Sequence, residues 1–200
     1  KVNVFKDNNT SPVKTIITSR GYNTGDASCN STGSNSVERE IKVTYGGGSS
    51  LPITNISQGK NATQSSTVFG GNAGRAVDSV TDGNWGNSSV THTNSEANAW
   101  WQADLGSSFL VDSLTVWNRT DCCGDRLSDY WVFISDTPFL PSDTSASLLI
   151  RVNTWNNHQI SPPNPSTNIT GIGVRGQYVR VQLSGTNYLS LAEVEIFGSP

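Results

Sequence analysis

The sequence predicts an all-β fold, a β-sandwich or jelly roll with a β-rich or extended N-terminal appendage. Three observations predict it. Apolar runs of strand length recur between turn signals, and several alternate apolar with polar residues. No stretch of ten or more residues repeats its apolar positions at the 3.6-residue period of an amphipathic helix. Charged residues make up only 14% of the chain, against a usual ~25%, and Ser, Thr, Asn and Gly fill the difference. Six Trp among 200 residues supply bulk for a core, so the polar composition does not spell disorder.

In chain order, Val2–Phe5 and Val13–Thr18 are strand-like, residues 21–36 are polar, and Val37–Tyr45 alternates before the Gly46-Gly47-Gly48-Ser49-Ser50 linker. Residues 1–50 are therefore expected to be an appendage, either the remnant of a neighbouring domain or extra strands on the main one. Residues 51–200 form the main domain. Within it, strands are expected at Trp100–Leu105, Phe109–Trp117, Tyr130–Ser135, Leu148–Val152, Gln177–Leu183 and Leu191–Phe197. Val179, Val181 and Leu183 alternate with Arg180 and Gln182, and Ala192, Val194 and Ile196 with Glu193 and Glu195, the pattern of half-buried antiparallel strands. Pro162-Pro163-Asn164-Pro165 is loop, because proline lacks the donor that a ladder needs.

Charge and hydropathy narrow the function. A net charge of −3, with 13 Lys+Arg spread along the chain, offers no basic face for nucleic acid. No apolar run approaches the ~20 residues of a spanning helix, so membrane insertion is not expected. The chain begins at Lys1 and has no Met, which predicts a start set by processing or by a fragment boundary. Together with Asn-x-Ser/Thr sequons from Asn8 to Asn168, this favours a secreted or cell-surface location.

The strongest local signal is Arg119-Thr120-Asp121-Cys122-Cys123-Gly124-Asp125-Arg126, directly after an apolar run. Adjacent Cα atoms lie ~3.8 Å apart, below the usual disulfide range, so the dipeptide by itself suits two reduced thiols or one paired with Cys29. A bond between neighbours would close almost no loop, and its use would be a flat apolar sulfur surface. Arg119 and Arg126 flank it with Asp121 and Asp125 between them. Guanidinium forks held by carboxylates suit vicinal sugar hydroxyls, although a surface salt-bridge cluster is the commoner meaning of a charged loop. His92 is one of two His in the chain.

His92, 26 intervening residues, Arg119-x-Asp121, four residues and Arg126 together resemble the H-x26-R-x-D-x4-R/K signature of F-type lectins, the fucolectins. The segments Asn55–Ser66, Ala76-Val77-Asp78, Asn98–Leu105 and Leu191–Glu195 resemble further landmarks of that family, from about Ile53 to Gly198. The resemblance implies a calcium-containing, non-catalytic carbohydrate-binding module of the discoidin-like type that recognises terminal α-L-fucose on glycans. It implies that His92, Arg119 and Arg126 donate to the sugar and that Asp121 orients the arginines. A Cys122–Cys123 disulfide would stack on the ring. Trp85 is expected to face the sugar methyl, with Val68 or Phe69 as lesser candidates. It also implies a structural Ca2+ held by the carbonyls of Arg75, Val80 and Ala192, by Ser89, and by the carboxylates of Asp78 and Glu193.

There are departures from the family pattern. Val90 and Ala192 occupy positions where some members carry a staple disulfide, which leaves Cys29 without an obvious partner. Multivalency would come from a homo-oligomer or from a larger multidomain protein. Two other functions compete. A glycosidase would pair Asp121 with Asp125, or Asp78 with Asp82. A discoidin-like domain binding protein or phospholipid would present Phe69 and Phe139-Leu140 as exposed apolar spikes.

Overall fold

A computed structural model describes residues 2–7, 14–22, 38–45 and 51–200. Cys29, most of the polar stretch of residues 21–36, and the linker Gly46–Ser50 lie outside the described residues. The chain divides into two units, Lys1–Leu51 and Pro52–Pro200. In the first, β1 (Val2–Asp7), β2 (Lys14–Tyr22) and β3 (Glu38–Tyr45) form an antiparallel sheet with β2 in the middle.

The second unit is the β-sandwich. Its strands are β4 (Thr54–Asn55), β5 (Asn61–Gln64), β6 (Glu96–Ala97), β7 (Trp100–Asn118), β8 (Tyr130–Ser135), β9 (Thr154–Gln159), β10 (Ser166–Ile169), β11 (Val174–Leu183), β12 (Thr186–Asn187) and β13 (Leu191–Ser199). The expected strands at Trp100–Leu105 and Phe109–Trp117 are one continuous element, β7, and its two halves have different neighbours. Residues 101–104 pair with β5 on one side and β11 on the other. Residues 110–118 pair with β13 and, over Leu114–Trp117, with β10. The β7–β11 ladder breaks opposite residues 105–108 and resumes over Phe109–Val111, and across that break β5 gives way to β13 and β10 as neighbours of β7. The β4-β13-β7-β11-β8-β9 path thus bends into layers around a single core.

That core is built from the period-two positions. Val111, Leu114 and Val116 of β7, Val132 and Ile134 of β8, Val179, Val181 and Leu183 of β11, and Leu191, Val194 and Ile196 of β13 are all buried together. Each such side chain contributes roughly 1.5–3 kcal/mol by leaving water. Trp101 is fully buried among them and its Nε1–H donates to the Ala73 carbonyl at 2.9 Å, so its polar atom is satisfied inside.

Three expectations are corrected. Leu148–Val152 is not a strand. Ser145–Leu149 forms α1, started by a reciprocal capping box between Thr144 and Ser147, and Leu148 packs with Phe133 and Phe139 beneath it. Five residues are too few to display a helical period, which is why the alternative escaped notice. The polar positions of β11 do not face water either: Arg180 and Gln182 are both fully buried. The Arg180 guanidinium lies 4.4 Å from the Trp100 ring centroid and 5.0 Å from that of Phe139, and it donates to Gln102 and to the Leu140 carbonyl. Finally, Phe139 is buried at 4% exposure, so only Leu140 and Phe69 of the expected apolar spikes stand in solvent.

Candidate functional site

Loops at one end of the sandwich meet around His92. They are residues 65–72 after β5, residues 78–95, residues 119–129 between β7 and β8, and residues 186–190 before β13. Backbone bonds dock the first two: the His92 N–H donates to Gly71 O at 2.9 Å, and the His92 carbonyl accepts from the Val68 N–H at 3.1 Å. A Cβ on Gly71 would lie 2.6 Å from the His92 nitrogen, so only glycine permits this approach. Gly83 serves the other junction. Its carbonyl accepts from the Thr120 N–H at 2.8 Å, and a Cβ there would stand 2.5 Å from Asn118 O.

The loop carrying Trp85 is organised by its own Asn and Asp residues. Asp82 accepts from the Asn84 N–H at 2.9 Å and from Asn87 Nδ2 at 2.6 Å, and Asn84 caps the short 3-10 helix Trp85–Asn87 through the Gly86 N–H. The bonds from Asn87 first, and then from Asn84, hold the Asp82 carboxyl below its ordinary range. The following charged loop hangs on Asn118. Its Nδ2 donates to Gly124 O and Pro163 O, and its Oδ1 accepts from the Arg119 N–H.

His92 is 5% exposed and ringed by aromatic neighbours, with centroids at 5.7 Å for Phe69, 5.3 Å for Trp85 and 5.4 Å for Tyr188, all edge-to-face. Its Nδ1 lies 2.7 Å from the Thr93 carbonyl, which can only accept, so Nδ1 carries the proton. Burial, reinforced by the Arg119 and Arg126 charges, holds the imidazole below its usual range. A neutral ring with Nδ1 protonated offers Nε2 as an acceptor. The resemblance implies a donor at this position, whereas this tautomer presents an acceptor.

Arg119 and Asp121 form a bidentate pair, Nε to Oδ1 at 2.8 Å and Nη2 to Oδ2 at 2.9 Å, and Asp121 also accepts from the Trp85 N–H. The Arg119 bond dominates in lowering the Asp121 carboxyl to about 2, so it is ionised across the physiological range. Arg119 lies 5.3 Å from the Trp85 ring centroid and Arg75 5.7 Å, while Arg126 lies 4.6 Å from that of Tyr188. Between the arginines, Cys122 and Cys123 are joined in a disulfide, with Cys123 in the left-handed region at φ 58°. The structure thus gathers His92, Trp85, Phe69, Arg119, Asp121, Cys122, Cys123 and Arg126 at one end of the sandwich. Sequence reasoning missed Tyr188 there, because nothing in Asn187-Tyr188-Leu189 marks it before the loop is folded onto His92.

The six residues expected around calcium divide into two groups. Glu193 is fully buried, accepts from the Ser79 N–H at 3.2 Å through Oε1, and leaves Oε2 without a partner among the described residues. Burial is the main cause that pushes its carboxyl up to about 7, and the nearby Asp78 charge adds to it. An orphaned buried carboxylate oxygen beside a second carboxylate is what a divalent cation would satisfy, so Asp78 and Glu193 fit the expected ion. Ser89 Oγ already donates to the carbonyls of Asp82 and Asn84. Val80 is 44% exposed, Ala192 is buried, and Arg75 reaches over Val90 O with its guanidinium.

With the fold and site in view, residues 75–181 match the F5/8 type C family described as the NedA-like, galactose-binding domain. Fucolectin-5 of Anguilla japonica is 33% identical over 160 residues, which is 71% of this chain and 75% of that protein. The chain belongs to the fucolectin family of discoidin-like domains. Among solved structures, the lectin domain of lectinolysin in complex with Lewis B antigen is 39% identical, with a TM-score of 0.63 over 74% of this chain and 98% of that one. A fucose binding module of Streptococcus pneumoniae, SpX-3, is 33% identical with a TM-score of 0.62, over 72% of this chain and 96% of that one.

Proposed function

We propose that this protein is a non-catalytic lectin module that binds terminal α-L-fucose on glycans through the His92 surface. The observation that carries this reading is the Arg119–Asp121 fork beside a neutral His92. The fork uses two of the five guanidinium N–H groups and leaves the others free on the side of Trp85. Arg119 and Arg126 donate to hydroxyls and ring oxygen, and His92 Nε2 accepts from a hydroxyl. Trp85, Phe69 and the Cys122–Cys123 disulfide provide apolar surface for the methyl group and ring edge. The partners named for the relatives, Lewis B for lectinolysin and fucose for the pneumococcal module, support the same ligand here.

Calcium enters as a structural ion. Asp78 and Glu193 would hold it with the carbonyls of Arg75, Val80 and Ala192 and the Ser89 side chain, and it supplies charge neutralisation alone. Hydrolysis is disfavoured by Asp121, whose proton is lost far below neutral pH and which is committed to Arg119. An extracellular location fits the fucolectin relatives, and no helix among the described residues is long and apolar enough to cross a membrane.

Calorimetric titration with L-fucose, in calcium and with D-glucose as the control, tests the reading. Saturable heat is expected for fucose alone, at a dissociation constant between roughly micromolar and millimolar for so small a ligand. A folded sample giving no heat up to tens of millimolar overturns it.

A further inference from the structure

A second cleft lies at the other end of the sandwich. β8 begins beside the charged loop at Tyr130 and ends at Ser135, while β11 runs antiparallel to it, with Leu183 opposite Tyr130 and Tyr178 opposite Ser135. Six residues of strand separate the two ends by about 20 Å. At the far end, the exit of β8, the entrance of β9 and the entrance of β11 enclose an open cleft of about 550 Å³, within the ~300–1,000 Å³ typical of ligand sites. Asp136, Thr137, Asn153, Thr154, Trp155 and Arg175 line it. None of these residues belongs to the His92 surface.

Arg175 donates to the carbonyls of Ser108 and Pro200, and much of the remaining polar chemistry of the lining is unspent. Thr154 Oγ1 is buried with no hydrogen-bond partner among the described residues. Asn153 holds a left-handed backbone at φ 57°, a strain that surrounding structure maintains at the mouth of the cleft. Asp136 is exposed, and its carboxylate has no hydrogen-bonding or ion-pairing partner among the described residues. Trp155 packs against the core, yet its Nε1 makes no hydrogen bond among the described residues, unlike those of Trp101, Trp117 and Trp131. Next to the cleft, the β7–β11 register shifts between Gly176 and Tyr178, a bulge of the kind found beside binding sites.

An indole beside a carboxylate, an amide and a hydroxyl is a set that recognises a pyranose. The ring's C–H face lies on the indole, and vicinal hydroxyls donate to the carboxylate and exchange bonds with the amide. Asp136 and Arg175 bring opposite charges, so the lining favours a neutral ligand over an anionic one. We propose that this cleft is a second carbohydrate subsite that takes one neutral pyranose. Trp155 is its stacking surface, and Asp136 and Asn153 engage vicinal hydroxyls. One chain would then grip glycans at both ends.

The test is a 1H–15N NMR titration of the full chain saturated with L-fucose, adding methyl β-D-galactopyranoside, methyl α-D-mannopyranoside or N-acetyl-D-glucosamine to tens of millimolar. At least one sugar is expected to give saturable shifts at the Trp155 indole and Thr154 amide. Asp136→Ala is expected to weaken that binding roughly tenfold and leave the L-fucose affinity unchanged. Asp136 and Asn153 are exposed, so Asp136→Ala and Asn153→Ala are expected to fold. Absence of saturable shifts with all three sugars overturns the proposal, as does equal binding by both variants. L-Fucose shifts at Trp85 and His92 in the same samples report on the first site, so failure of one is distinct from failure of the other.

Discussion

Asp121 serves both the charge and the shape of the charged loop, clamping Arg119 in two bonds and pinning the Trp85 backbone in a third. Asp121→Asn keeps the volume but loses the fork, and is expected to weaken L-fucose roughly tenfold; Arg119→Ala is expected to weaken it tenfold to a hundredfold, both read by calorimetry. His92 gives the site a pH response. Its folded pKa lies below the unfolded value of ~6.5, so the unfolded chain takes the proton first and stability falls as pH drops below that value. Protonation turns Nε2 from acceptor to donor and sets a cation against Arg119 and Arg126. In calcium, affinity is expected to be flat from pH 8 to about 6.5 and to fall at lower pH, and the His92→Gln variant is expected to lose that fall.

β13 and the loop over it meet at the buried Glu193 carboxyl. The Glu193 carboxyl is raised to about 7 against an ordinary value of ~4.3, so without metal the folded state holds its proton more tightly and stability declines as pH rises between those values. A calcium ion held by Asp78 and Glu193, as proposed above, would reverse this by favouring the ionised carboxylate. At pH 7.5 added calcium is expected to raise Tm by on the order of 5 °C, while Glu193→Gln raises Tm in EDTA and abolishes the calcium increment. The vicinal disulfide behaves differently. It closes a loop of no length, so replacing Cys122 and Cys123 with Ser is expected to leave Tm nearly unchanged and to weaken L-fucose severalfold through loss of the sulfur surface.

At the scale of the molecule, a site that takes a single sugar limits affinity, and avidity depends on how copies are presented. Display of the chain on a tetrameric streptavidin scaffold is expected to increase binding to a fucosylated surface by about 10²–10⁴ over the free chain, measured by surface plasmon resonance. The N-terminal three-stranded unit and the lectin unit divide at Leu51/Pro52. The composition change at Gly46–Ser50 is visible in the sequence five residues earlier.

The all-β class was legible because apolar runs of strand length mark β7 and β8 and period two is written into β11 and β13, and the candidate site residues stood out because their spacing resembles a known signature. Other elements left no such trace. β5, β9 and β10 read Asn61–Gln64, Thr154–Gln159 and Ser166–Ile169, polar segments that become strands only because β7 and β8 offer them open edges. Alternation tells which residues share a face, but not whether another layer covers that face. Arg180 and Gln182 share the outer face of β11, and the Leu140 loop and α1 segment seal that face around them. Tyr188 reached the site for the same reason, through a contact between loops far apart in sequence. Local pattern therefore determined strand identity and donor chemistry, whereas burial and the aromatic ring around His92 were decided by long-range packing, which no short window of sequence encodes.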